Sequence, residues 1–196
     1  MKKFLTFKTG LAAFMLLAIS CNKEPLPTQA LPDTQMENTT ALTGHVGYIG
    51  ERFGGGIIFY INSSGKHGMI ADTVDLAPAT WSNVTNVLTG ASGSLVGTGR
   101  ANTHKIVLAQ GRNGNYAALE CAKSTHSGFT DWFLPSSNEL FYLNSQKDIV
   151  GGFKGSYYYS STEANKDECF LEYWPVGWFD LNFKLWVISV RAIRYY

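Results

Sequence analysis

The chain has 196 residues, a formal net charge of +1, 45 % hydrophobic and 16 % charged residues. Its 16 Lys and Arg are scattered, with no run beyond Lys2-Lys3, so it lacks the basic footprint that nucleic-acid binding requires. A chain of this length, less an export segment, suits one domain with a single well-buried core.

Residues 1–20 read as a signal peptide: a basic start at Met1-Lys2-Lys3, a mostly apolar stretch from Phe4 to Ile19, and small Ser20 before Cys21. The uninterrupted apolar run Leu11 to Ile19 is nine residues, while a membrane-crossing helix needs roughly twenty. The tetrad Ala18-Ile19-Ser20-Cys21 resembles the lipobox of bacterial lipoproteins. That resemblance implies acylation of the Cys21 thiol and a membrane attachment through lipid; an ordinary secretory signal with an incidental cysteine is the alternative. Residues 21–43 carry Pro25, Pro27 and Pro32 among polar residues and bury too little to fold, so they read as a disordered tether. Export also reaches compartments that permit disulfides, which leaves Cys121 and Cys169 as a bonded pair or as two free buried thiols.

The domain is expected over 44–196. Gly56–Ile61 and Gly68–Ala71 are apolar, β-branched runs flanking Asn62-Ser63-Ser64-Gly65, a hairpin signature. Residues 75 to 100 show neither period and read as a long loop around Trp81. Asn102 or Thr103 can cap a helix through Ile106, Val107 and Ala109 that stops at Gly111, and a second short helix fits Tyr116 to Lys123. Ser136 and Glu139 form a capping box for a helix from Ser137 to about Gln146. Strands follow at Tyr157–Ser161, Phe170–Trp174 and Leu185–Ile193, with Arg191 and Arg194 interleaved at the end. The fold class is α+β, with short helices packed on antiparallel β-sheet.

Five blocks stand in order: Phe53-Gly-Gly-Gly-Ile-Ile-Phe-Tyr60, Gly97-Thr-Gly-Arg-Ala-Asn-Thr103, Gly128-Phe-Thr-Asp-Trp-Phe-Leu-Pro-Ser136, Tyr159-Ser-Ser-Thr-Glu163 and Val190-Arg-Ala-Ile-Arg194. Together they resemble the bacterial DUF1566 family, which includes the C-terminal domain of the Legionella collagen-like protein. The resemblance implies a C-type-lectin-like fold, of the variant shared with formylglycine-generating enzymes. It further implies that the segment between Glu163 and Val190 corresponds to the ligand-binding segment that diversity-generating retroelements rewrite in related surface proteins. Gly177 and Lys184 then stand as framework, with bulky residues around them.

Twelve of the 27 aromatic residues fall in the last 40 positions. The alternation Phe179, Leu181, Phe183, Leu185 fits a plain half-buried strand with these side chains inward. Against that, Trp174, Trp178, Phe179, Phe183 and Trp186 lie within thirteen residues, more bulk than one short strand hides, and exposed Trp and Tyr are the usual anchors of binding sites. The expected ligand-binding set is Tyr173, Trp174, Trp178, Phe179, Asp180, Asn182, Phe183 and Trp186, with a surface protein or a glycan as partner.

Enzymatic roles lack support. The cysteine pair of formylglycine-generating enzymes has no close counterpart, and His45, His67, His104 and His126 fit no metal-ligand spacing. Gly54-Gly55-Gly56 lacks the Lys-Ser/Thr of a phosphate loop and suits a close backbone approach; Gly90-Ala-Ser-Gly-Ser94 has no accompanying His and Asp motif. The calcium motifs of sugar-binding C-type lectins are missing, which leaves Asp131, Glu163 and Asp167 as donors for a structural calcium at most. No cofactor is expected. A structural or oligomeric envelope role, and an enzyme on the formylglycine-generating scaffold, are the competing functions.

Overall fold

A computed structural model describes residues 45–84 and 86–196. The expected signal peptide, Cys21 and the expected tether lie outside the described residues. In chain order the strands are β1 (Arg52–Phe53), β2 (Gly56–Ile61), β3 (Gly68–Ala71), β4 (Leu76–Ala79), β5 (Tyr157–Glu163), β6 (Glu168–Tyr173), β7 (Trp178–Phe183), β8 (Ile188–Val190) and β9 (Ile193–Tyr195). The helices are α1 (Gly99–Gln110), α2 (Ala117–Lys123), α3 (Ser137–Ser145) and α4 (Lys147–Val150), all between β4 and β5. The class is α+β. No helix among the described residues is long and apolar enough to cross a membrane.

The strands form a four-stranded sheet, β1-β2-β3-β9, and a five-stranded sheet, β4-β8-β5-β6-β7, antiparallel except for the β5–β8 pair. The expected hairpin is present with a bulge between Ile58 and Tyr60. Its run Ile57-Ile58-Phe59 is apolar on consecutive positions because β2 is covered on both sides: Ile58 enters one hydrophobic cluster, Ile57 and Phe59 another. Gly54 and Gly55 both adopt positive φ in the two-residue turn from β1 to β2, and a Cβ on Gly56 would lie 2.0 Å from the Ala71 carbonyl oxygen. The glycine triplet therefore serves a tight turn and a close approach.

Several expectations need correction. The loop expected over 75–100 contains β4, whose Pro78 is tolerated because the strand sits at a sheet edge. Helix α1 starts four residues earlier than the Asn102 cap would place it, behind Thr98. Asn102 and Thr103 are buried inside it instead: the Asn102 amide donates to Gly93 O at 2.6 Å, and Thr103 Oγ1 accepts from Leu134 N at 3.0 Å. Both side chains tie the helix to loops distant in sequence. At α3 the capping box forms as expected, with Ser136 Oγ accepting from Glu139 N and the Glu139 carboxylate from Ser136 N. The final strand expected over Leu185–Ile193 is split. β8 lies in one sheet and β9 in the other, and Arg191 at the crossing is fully buried. Its guanidinium pairs with Asp75 at 2.7 Å and lies 3.9 Å from the Phe153 ring centre. Arg194 pairs with Asp131 through two nitrogens, at 2.7 and 3.1 Å. The two arginines are fasteners at the sheet junction, placed by the chain's step from one sheet to the next.

Candidate ligand-recognition face

Strand β7 pairs with β6 across its whole length, Tyr173 opposite Trp178 through Glu168 opposite Phe183, and among the described residues nothing pairs its other edge. Helix α3 lies over β5 and β6, so the core ends one strand short of the sheet edge. On one face of β7 this leaves Phe179, Leu181 and Phe183 exposed, and on the other Trp178 and Asp180. The reading of Phe179, Leu181, Phe183 and Leu185 as inward residues is overturned: all four are exposed.

The open edge is blunted by its own sequence. Asp180 Oδ1 accepts from Leu181 N and Asn182 Oδ1 from Phe183 N, each at 2.8 Å. These amides are thereby occupied, which discourages another chain from adding as a strand. What β7 offers a partner is side chains.

The loop after β7 is anchored by its backbone. Lys184 O accepts from Trp81 N at 2.8 Å and Ser82 N at 3.1 Å, Lys184 N donates to Asp167 O, and the Tyr159 hydroxyl donates to Trp186 O at 2.7 Å. The Lys184 side chain turns inward, 2 % exposed, where its ammonium pairs with Glu163 Oε1 at 2.7 Å and donates to the carbonyls of Val87 and Lys166 at 3.1 Å. It also lies 4.8 Å from the Trp81 ring centre. Glu163 accepts further bonds from the N–H groups of Thr89 and Gly90. Burial works against the Glu163 charge, but the ammonium and the two N–H donors outweigh it and hold the carboxyl below the ordinary carboxylate range. One buried ion pair thus ties together three loops, around residues 87–90, 163–167 and 183–186.

With the backbone held from below, Leu185, Trp186 and Val187 project outward, 50 %, 56 % and 68 % exposed. Phe183, Leu185 and Trp186 meet Val84, Asn86 and Lys166 around a cavity of about 350 Å³. A second cavity, about 540 Å³, continues along Phe183 towards Leu88 and Glu168. Lys166 donates to Asn86 and pairs with Asp167, which gives an otherwise apolar site one polar corner.

Of the expected ligand-binding residues, Phe179 and Phe183 are exposed on one face of β7, Trp178 and Asp180 on the other, and Trp186 in the loop that follows, while Tyr173 and Asn182 are half-buried beside them. Trp174 does not belong to the set. It is 5 % exposed, and its ring packs 4.4 Å from Tyr158 and 4.5 Å from Phe153 between ring centres. The sequence reading missed Leu181, Leu185 and Val187, as well as the Asn86–Lys166–Asp167 corner; the apolar three were hidden by their resemblance to core residues, and the corner by distance in sequence.

The calcium donors considered above are not brought together. Asp131 is held by Arg194 and Arg100, Glu163 by Lys184, and Asp167 by Lys166. Among the described residues no group of three or more His, Cys, Asp or Glu side chains converges. Cys121 and Cys169 are free and buried, so the disulfide alternative falls, and burial pushes both thiols up, away from the reactive thiolate. His45 stacks on Phe53 and pairs with Glu51, and His126 pairs with buried Asp72 at 2.7 Å; His67 and His104 are exposed. A scan against protein-family models finds no match to this chain, and a search of curated proteins likewise finds none.

Proposed function

We propose that this chain is a bacterial surface lipoprotein, attached to the outer membrane or cell surface through lipid on Cys21, whose C-type-lectin-like domain binds a macromolecular ligand through β7 and the loop that follows it. The observation that carries the reading is large apolar side chains displayed on immobilised backbone: Trp178, Phe183 and Trp186 are 71 %, 56 % and 56 % exposed. Exposed bulk of this kind costs solubility unless it meets a partner. Aromatic anchors with little conformational freedom supply contact area at low entropic cost.

Support for the family likeness lies in the use of its framework positions. Lys184 is the buried ion-pair partner, Gly177 has φ of +75°, and the positions between and beyond them are the exposed ones. That division, buried framework beneath exposed side chains, is what a retroelement-diversified segment needs. The apolar character of the face favours a protein partner over a glycan. Enzymatic chemistry on the formylglycine-generating pattern needs reactive thiols, and Cys121 and Cys169 are both buried.

The test is to screen the full chain against arrayed surface proteins and glycans beside a variant carrying Trp178→Ser, Phe183→Ser and Trp186→Ser. Trp174 stays intact, because its replacement would disturb the core. A ligand captured by the parent and lost by an equally folded variant is the expected result. A variant that retains the ligand removes β7 from the site. Concentration-independent self-association of the parent, abolished in the variant, would instead assign the face to an envelope oligomer.

A further inference from the structure

Behind the displayed strand, β6 carries a carboxylate with no visible reason to be there. Glu172 is fully buried, and among the described residues neither of its oxygens has a hydrogen-bond partner. It faces away from Leu171 and towards α3, in the layer where Tyr158 of β5 and Phe179 of β7 are its cross-strand neighbours. Over it sits the turn that joins β6 to β7. A Cβ on Gly177 of that turn would lie 3.4 Å from Glu172 Oε1 and 3.3 Å from Asn144 Oδ1 of α3. The Asn144 amide donates to Trp174 O at 2.9 Å, which pins the turn to α3 directly beside the carboxyl.

We infer that Glu172 is a proton-operated latch for the β6–β7 hairpin: neutral Glu172 lets the turn seat on α3, and loss of its proton loosens the turn and the strand that carries Trp178 and Phe179. An unpartnered carboxylate in an apolar enclosure strongly disfavours charge, whereas the neutral acid costs much less to bury. The surroundings offer little to compensate. Lys147 of α4 is the cation that acts on it, and its ammonium donates to Asn144 Oδ1 at 3.4 Å rather than to Glu172. Tyr158, the titratable group from β5, has its hydroxyl committed to Asp75 at 2.7 Å. The side chains contributed by α3 and β7, Asn144 and Phe179, are uncharged.

Burial pushes the Glu172 carboxyl up to about 7, with Lys147 opposing. The seated turn therefore holds the proton more tightly than the released turn does. Seating is fully favoured below the ordinary carboxylate range and weakens as pH rises from there to about 7. Above that, both forms are ionised and the loss is complete. Phe179 stands opposite Glu172 in the ladder and touches Phe141 of α3, ring centres 6.5 Å apart, so release of the turn reaches the exposed aromatic strip at once. That this would regulate recognition rests on the function proposed above; the latch itself does not.

The experiment reads the hairpin directly. Amide hydrogen exchange of the full chain, corrected for intrinsic rates, is followed at about pH 5.5 and about pH 8.5 for β6–β7 and, as internal reference, β2–β3. Opening of the β6–β7 turn should rise on the order of thirty-fold between the two conditions, while the reference does not change. Glu172→Gln should remove the rise. Should that variant not fold, carboxyl ¹³C NMR of glutamate-labelled wild type decides, with a titration midpoint near 7 expected for Glu172. Equal exchange at both conditions, the same rise in Glu172→Gln, or a midpoint in the ordinary carboxylate range overturns the latch. A failed ligand screen with a positive exchange result would sink the recognition reading and leave the latch standing.

Discussion

Replacing Lys184 by Met keeps the length and apolar stem of the side chain and removes its charge, so the change isolates the ion pair beneath the display loop. Glu163, nine-tenths and more buried, would be left as an uncompensated carboxylate. Breaking a buried pair from one side costs roughly 3–5 kcal/mol. Because the N–H groups of Thr89 and Gly90 still donate to Glu163, the lower end, about 3 kcal/mol, is expected here. Against a total stability of roughly 5–15 kcal/mol for a domain, that is a large fraction. Urea unfolding of the full chain, read by tryptophan fluorescence, measures it. The pH dependence supplies the sharper check. In the wild type the Glu163 carboxyl is held below its ordinary range, so its contribution is present above the unfolded carboxylate pKa and disappears as pH falls through the lower folded value. In Lys184→Met the sign reverses: Glu163 prefers to be neutral, and the deficit should shrink as the pH is lowered towards 4.5 or so. Adding Glu163→Gln should recover part of the loss at neutral pH. A Lys184→Met cost under about 1 kcal/mol, or one that does not vary with pH, would refute the view that this pair holds the loops together.

Two further outcomes separate scaffold from surface. Trp174→Ser should cost about 3–5 kcal/mol, the range for emptying a buried aromatic site, whereas Trp178→Ser, four residues away, should stay within about 0.5 kcal/mol; paired denaturant titrations decide it, and equal costs would place both rings in the core. Gly177→Ala forces a Cβ into a left-handed conformation at φ +75°, beside Asn144 and Glu172, for about 1–2 kcal/mol. Thermal unfolding should show the loss, and an unchanged midpoint would mean that the turn relaxes without strain.

The sequence alone was informative wherever structure depends on neighbours in the chain. The Ser136–Glu139 capping box, the β2–β3 hairpin and the stop at Gly111 were legible because the partners lie within a few residues of each other. What stayed hidden needed partners far along the chain. Asn102 and Thr103 look like helix caps until Gly93 and Leu134 are seen to take their hydrogen bonds. Arg191 and Arg194 look like one strand's outward face until the chain steps between sheets and buries both.

Trp174 and Trp178 illustrate the limit. Both are aromatic, both sit near strand ends, and no local rule distinguishes them. A turn folds the first back onto Phe153 and Tyr158, while the second projects where the core has ended. Composition and spacing determine how much apolar bulk the segment carries. Only the tertiary structure, by centring its helical cover on β5 and β6 and leaving most of β7 open, decides which of that bulk meets solvent, because burial is a property of what lies across the fold and not of what lies beside a residue in sequence.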